Sequence, residues 1–289
     1  MKVRLFLVMS IVLFLVVGVH SQQLEEDAQL QAWNEFLGSI EWVSAGGTGL
    51  MGDQGEIFVP SGYVFTAADG TQSLMEAFGN LLTEKELGFV APERSGSPDF
   101  DWFAVFEFDE VGYVSDEEKE DLDADAMMDS MLENQKAANE QRAKMGYDKL
   151  EIIGWEQEPR YNDRTNNLEW AIRLHGSTGP EIVNLNTRLL GREGVMKVTL
   201  VCDPDQLRAT TPVYQEMLRD FHFQDGRSYA EFTSGDKLAK YGLTGLVVGG
   251  GAAVLAKTGL LKKIFKPLLI ALIAFGAWIK RFFTGKKSE

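Results

Sequence analysis

Between Gly242 and Ser288 the chain contains no acidic residue, and that stretch sets the terms for everything before it. Two apolar runs, residues 243–256 and 268–279, flank a connector carrying Lys257, Lys262, Lys263 and Lys266. A bilayer core about 30 Å thick takes about 20 helical residues. Each run reaches that length only if its flanking lysines snorkel. The expectation is a C-terminal transmembrane helical hairpin within residues 241–289. Gly245, Gly249 and Ala253 stand at four-residue spacing, which lets helix backbones approach closely in lipid. A tight intramolecular hairpin is the first reading, and self-association through this glycine-bearing helix is the second. The positive-inside rule draws Lys262 and Lys263 to the cytoplasm, but a second span would then return Lys280 and Arg281 to the outside.

At the other end, Lys2 and Arg4 precede an apolar stretch over residues 5–19, and Val19-His20-Ser21 offers a cleavage site. That pattern is a secretory signal peptide over residues 1–21, with an uncleaved anchor as the alternative. A leader and an anchor together place residues 22–240 outside the cytoplasm as an exported acidic domain, with the lipid bilayer as a partner.

Charge narrows the remaining partners. The leader takes two basic residues, and the tail takes eight basic and one acidic. The exported portion keeps 18 basic and 42 acidic residues, a net of −24. Such a surface repels nucleic acid and attracts basic partners or divalent cations; solubility is its plainer use. A single cysteine, Cys202, leaves no intramolecular disulfide, and His175 and His222 are the only histidines beyond the leader. A zinc cage or a Cys/His nucleophile pair has almost nothing to be built from, so neither a metal nor a cofactor is expected.

Residues 24–36 read as a short acidic helix, and glycines over 46–55 as a turn-rich lead into strands at 57–59 and 63–65. Residues 71–83 have helical spacing. The segment at 101–108, DWFAVFEF, is apolar on both faces and belongs inside a sheet. Residues 111–114 are expected to pair with it. Asp121, Asp123 and Asp125 imitate the start of a calcium loop, but Ala126 and Leu132 stand where glycine and glutamate are needed. Ser115 and Glu118 fit a capping box instead, predicting a helix over 116–145 with a weak apolar stripe. Residues 150–155, 168–174, 182–190 and 195–202 alternate as strands of an antiparallel meander, with a bend at Pro159-Arg160-Tyr161. Thr211-Pro212 is read as the cap of a final helix. The class is α+β: an antiparallel sheet with flanking helices, with Trp102, Phe106, Trp170, Ile172, Leu185 and Val198 in its core.

Several separated motifs occur in order: GEIFVPSGYVF at 55–65, Gly154-Trp155 followed by Pro159 and Tyr161, and Asn186-x-Arg188-x-Leu190-Gly191-Arg192-x-Gly194-Val195. Phe223-x-x-Gly226-x-x-Tyr229, Gly235-Asp236-Lys237 and Tyr241-Gly242-Leu243 follow. In these the chain resembles the bacterial membrane-anchored family catalogued as domain of unknown function 2167. The resemblance implies a signal peptide, an exported domain and C-terminal membrane segments, and places the main domain on the periplasmic side of a bacterial inner membrane. It brings no catalytic residues.

If the strands at 168–174 and 182–190 pair, their polar sides gather Glu169, Arg173, Asn184, Asn186 and Arg188, with Arg192 at the edge. Arginine forks suit carboxylate or phosphate, so these five polar residues apart from Glu169, with Arg192, are the candidate ligand-binding set. An ordinary wet sheet face with cross-strand ion pairs is the plainer reading. The functional expectation is a non-enzymatic binding or scaffold domain in the cell envelope, engaging another envelope protein or a ligand. The alternative is an envelope hydrolase using paired carboxylates, with Asp53, Glu56 and Asp69 as candidates.

Overall fold

The structure is a computed structural model and describes residues 28–177 and 179–249. It divides into two compact units, residues 1–42 and 43–289. In the first, residues 28–39 form helix α1. The Ser39 hydroxyl donates to the Phe36 carbonyl (2.7 Å), and the Trp42 indole N–H to the Leu37 carbonyl (3.0 Å).

The second unit is built on one antiparallel sheet. Its strands are β3 (Tyr63–Ala67), β4 (Glu86–Arg94), β5 (Ser97–Pro98), β6 (Trp102–Asp109), β7 (Leu150–Asn162), β8 (Asn167–Gly176), β9 (Glu181–Leu190) and β10 (Val195–Cys202). They run in the order β3-β4-β6-β10-β9-β8-β7, with β5 beside β4. A smaller sheet joins β1 (Thr48–Met51), β2 (Gly55–Phe58) and β11 (Phe221–Phe223). The expected α+β class, antiparallel sheet and flanking helices are all present, and the six expected core residues are buried.

Side-chain alternation divides the large sheet into two faces. On one, Phe106, Val198, Leu200, Leu185, Val183 and Ala104 pack with Tyr214 and Met217 of α4 (Leu207–Arg219) and with Ile57 and Phe221 of the small sheet. On the other lie α2 (Ala68–Ala77), α3 (Ala124–Lys144) and α5 (Leu243–Val248).

Local chemistry moves several expected boundaries. α3 starts at Ala124, not near 116, because the Asp123 carboxylate caps it by accepting from the Ala126 N–H at 3.0 Å. The acidic run that imitates a calcium loop is therefore partly a helix cap. α4 starts at Leu207, with Pro212 inside it, so Thr211-Pro212 is not its cap. Pro159 lies within β7 and not at a bend; β7 is an edge strand, where a missing N–H costs no ladder bond. Residues 111–114 do not pair with β6, whose two sides are taken by β4 and β10; Tyr113 instead bridges Leu238.

The compact unit also runs past the boundary expected at residue 240. The first half of the first apolar run is α5, with Leu243, Leu246, Val247 and Val248 buried in the sheet's second cluster. Gly245 is needed for close packing, since a Cβ there would fall 2.5 Å from the Tyr241 ring. Gly249 ends the helix in the left-handed region at φ 92°. Both glycines thus have a use within α5 itself, whereas the expectation from their spacing is a close helix–helix approach in lipid. No helix among the described residues is long and apolar enough to cross a membrane. The signal peptide, Ala253, the lysine connector with Lys262 and Lys263, the second run, and Lys280 with Arg281 lie outside the described residues.

Candidate functional site

The strand register separates the expected arginine face. Leu168 stands opposite Arg188, Trp170 opposite Asn186 and Ile172 opposite Asn184, while Glu169 faces Thr187 and Arg173 faces Val183. Asn184, Asn186 and Arg188 therefore share the face of Leu168, Trp170 and Ile172, and Glu169 with Arg173 lies on the other. The alternation in each strand was read correctly; what failed was the assumption that their polar sides coincide. A one-residue difference in register is enough to exchange faces.

Each arginine has its own local use. Arg173 donates from Nε and a terminal nitrogen to Glu156 Oε2 (2.9 and 2.7 Å) and from the other to Glu181 (3.1 Å). Arg192 clasps both oxygens of Asp236 (2.8 and 2.9 Å), Thr233 Oγ1 (2.9 Å) and the Gly226 carbonyl (3.2 Å). That grip holds the Asp236 carboxyl far below the usual carboxylate range. Arg188 is buried, with its guanidinium 4.5 Å from the centroid of the Trp170 ring and, among the described residues, one hydrogen bond, to the Thr187 carbonyl at 3.2 Å. Burial lowers its pKa to about 10, which still leaves it charged at neutral pH.

Between α2, α3 and the sheet lies a cleft of about 770 Å³. Its floor is the second face of the sheet: Phe103, Val105 and Glu107 of β6, Lys197, Thr199 and Val201 of β10, Ile182 and Asn184 of β9, and Ile172 and Leu174 of β8. Met75 and Phe78 close one side, Met131, Asn134 and Ala138 of α3 another, and Val247 and Val248 of α5 a third. The cleft exists because α3 cannot seal the sheet. Of its 21 residues only Met127, in the first turn, is buried. A helix without a continuous apolar stripe stands off the surface it crosses. Farther along, the helix is tied by polar bonds instead: Asn134 Nδ2 donates to the Val248 carbonyl (2.6 Å), and Asn139 exchanges bonds with the Leu150 backbone (2.7 and 3.0 Å).

Among the cleft's ionised groups Glu107 pairs with Lys197, Glu86 is held by neutral donors, and Arg142 donates to the Asp148 carbonyl (2.5 Å) and lies over the Tyr147 ring. Glu86 Oε1 accepts from the Thr83 N–H (2.7 Å) and hydroxyl (2.9 Å), and Oε2 from the Lys85 N–H (3.1 Å). Glu107, its cross-strand partner, lies 3.0 Å from the Thr83 hydroxyl and 3.6 Å from Lys197 Nζ. Asn184 is different: its Oδ1 is buried and has no hydrogen-bond partner among the described residues.

The other candidates lie elsewhere. Asp53 pairs with Arg227 (2.8 Å), Glu56 stands opposite His222 in the small sheet, and Asp69 is in the first turn of α2; none lines the cleft. Cys202 is buried, and burial pushes its thiol up to about 11, which makes it a poor nucleophile. Among the described residues no three His, Cys, Asp or Glu side chains converge as a metal site. A second cavity, of about 1090 Å³, lies by the β7–β8 hairpin and the end of α4; its wall is mainly polar, and Arg160 there contacts Glu169 at 3.4 Å. Sequence reasoning missed the cleft because β4, with Glu86, was not read as a strand, and because no single segment carries the lining.

Residues 43–279 match the model of a family described as protein of unknown function (DUF2167). No curated protein matches the chain. Among solved structures it is similar to the cyanobacterial PsbP protein, CyanoP, of Synechocystis, at 16% identity and a TM-score of 0.37, covering 64% of this chain and 92% of that one. It is also similar to the Ran-binding protein Mog1p of Saccharomyces cerevisiae, at 13% identity and a TM-score of 0.32, covering 68% and 99%. Neither likeness carries a functional inference.

Proposed function

The chain belongs to the DUF2167 family of proteins of unknown function, and from that premise we propose that it is a non-enzymatic binding domain whose ligand occupies the cleft under α3. The observation behind this reading is the cleft itself. Its volume of about 770 Å³ and a wall that sets polar side chains beside a larger apolar surface suit a small molecule, since ligand sites span roughly 300–1,000 Å³. The leader-like N-terminus and the acid-free tail support display of this domain from a membrane, on the outer side of a bacterial inner membrane. Attachment to the bilayer and association with another envelope protein belong to the same proposal.

A 1-anilinonaphthalene-type dye, which fluoresces in apolar surroundings, tests the site. The full-length chain should bind it saturably, and Val201→Trp, which fills the cleft from its floor, should abolish binding without lowering the melting temperature. Equal binding by both proteins would remove the cleft from consideration.

One observation favours the hydrolase reading: Glu86 and Glu107 are paired carboxylates at the cleft, joined through the Thr83 hydroxyl. Both oxygens of Glu86 already accept hydrogen bonds, which suits a structural acid better than a base. Hydrolysis of a glycan panel by the wild type, lost in Glu107→Gln, would establish the enzyme; no turnover leaves the binding reading.

A further inference from the structure

We infer that the cleft takes a single-chain, uncharged lipid bearing a hydroxyl or amide donor, drawn from the bilayer to which the chain is tethered. The inference rests on the cleft being a ligand site. Four features point to this class of occupant. Phe78, Phe103, Val105, Ile172, Leu174 and Val201 offer apolar wall for a hydrocarbon chain. The charged groups of the cleft are already engaged, Glu107 with Lys197, Glu86 with three donors, and Arg142 with the Asp148 carbonyl and the Tyr147 ring, so an ionic head would have to break an existing contact. Asn184 Oδ1 is a buried acceptor without a donor, and a ligand hydroxyl or amide N–H would supply one.

The fourth feature is where the described chain ends. Val247 and Val248 form part of the cleft wall, and Gly249 also lines it. Forty residues follow, with no acid before Glu289; they hold the remainder of the first apolar run and the whole of the second. A tail held in the bilayer would keep this wall, more than the far side of the domain, close to the lipid surface.

Labelling of the full-length chain in vesicles of phosphatidylethanolamine and phosphatidylglycerol tests this. The probe is a trace of monoacylglycerol with a diazirine in its acyl chain. Ultraviolet cross-linking should label peptides containing Phe103–Val105 and Thr199–Val201. Val201→Trp should lose that label while keeping whatever label residues 250–289 acquire. Asn184→Leu, which removes the acceptor without filling the space, should lower labelling about fivefold, the worth of one net hydrogen bond. The diazirine fatty acid, whose carboxylate would face the Asn184 oxygen, should label less than the monoacylglycerol. Label confined to residues 250–289, or undiminished in both variants, would overturn the inference. Saturable dye binding without lipid labelling would leave the cleft as a site for another ligand class, whereas failure of dye and lipid together would end both readings.

Discussion

The two faces of the large sheet are built from the same strands and yet finished differently. On the α4 face, β6 and β10 present apolar residues at every second position and β9 does so except at Thr187, and Tyr214 and Met217 of α4 fill the layer above them. The Tyr214 hydroxyl even finds a buried partner in Thr187 at 2.9 Å. On the cleft face the same strands present Glu107, Lys197, Thr199, Asn184 and Asn186 among their apolar residues. The helix above, α3, is polar for most of its length. One face is closed by packing and the other is held open by hydrogen bonds from Asn134 and Asn139. The difference teaches that one scaffold can devote one side to close packing and leave the other open, where the proposed ligand would sit.

Mutations that cut equally into both faces would break that comparison. Phe106→Ala on the α4 face should cost about 3–5 kcal/mol in chemical denaturation, because a fully buried aromatic leaves a cavity. Tyr214→Phe should cost about 1–3 kcal/mol by stranding the Thr187 hydroxyl, a loss that Thr187→Val in the same background should largely suppress. Asp123→Ala removes the α3 cap and should cost about 0.5–2 kcal/mol, with faster hydrogen exchange in the first turn of α3. Val201→Ala, on the cleft floor, should cost about 1 kcal/mol or less, since its side chain borders space that is already open. A cost for Val201→Ala equal to that for Phe106→Ala would mean that the cleft is closed in solution.

The smallest expected effect is a matter of pH. Arg192 first, then the Thr233 N–H, depress the Asp236 carboxyl below its ordinary 3.8. A depressed carboxylate contributes stability above its unfolded value and loses it as pH falls through the folded one. Melting temperature measured downward through the carboxylate range should therefore fall less steeply in Asp236→Asn than in the wild type. Parallel curves would show that the clasp contributes nothing to acid sensitivity.

The strands that alternate over at least seven residues were legible, because period-two spacing of residues such as Trp170, Ile172 and Leu174 has one economical explanation. Strand β4, next to the β3 edge, was not, since Glu86, Gly88 and Pro92 interrupt its apolar run and break the signal. Of the candidate ligand set, the sequence placed Asn184, Asn186 and Arg188 correctly on one side of β9. It could not say which side of β8 they would meet. Only Asn184 lines the cleft; Arg188 lies against Trp170, and Arg173 and Arg192 are committed to acids.

The amino-acid sequence by itself determined the α+β class, the antiparallel meander and most of the buried core, because these follow from local periodicity and turn chemistry. It also carried the family motifs, which span most of the chain. The tertiary structure decided the rest: which polar residues share a face, that Leu243–Val248 packs as α5 on the sheet, and that a polar helix leaves a cleft beneath it. The physical reason is the same in each case. An apolar run has no preference of its own between lipid and a protein core, and a strand's two faces are equivalent until a neighbour sets the register; both choices are made by contacts between residues distant in the chain.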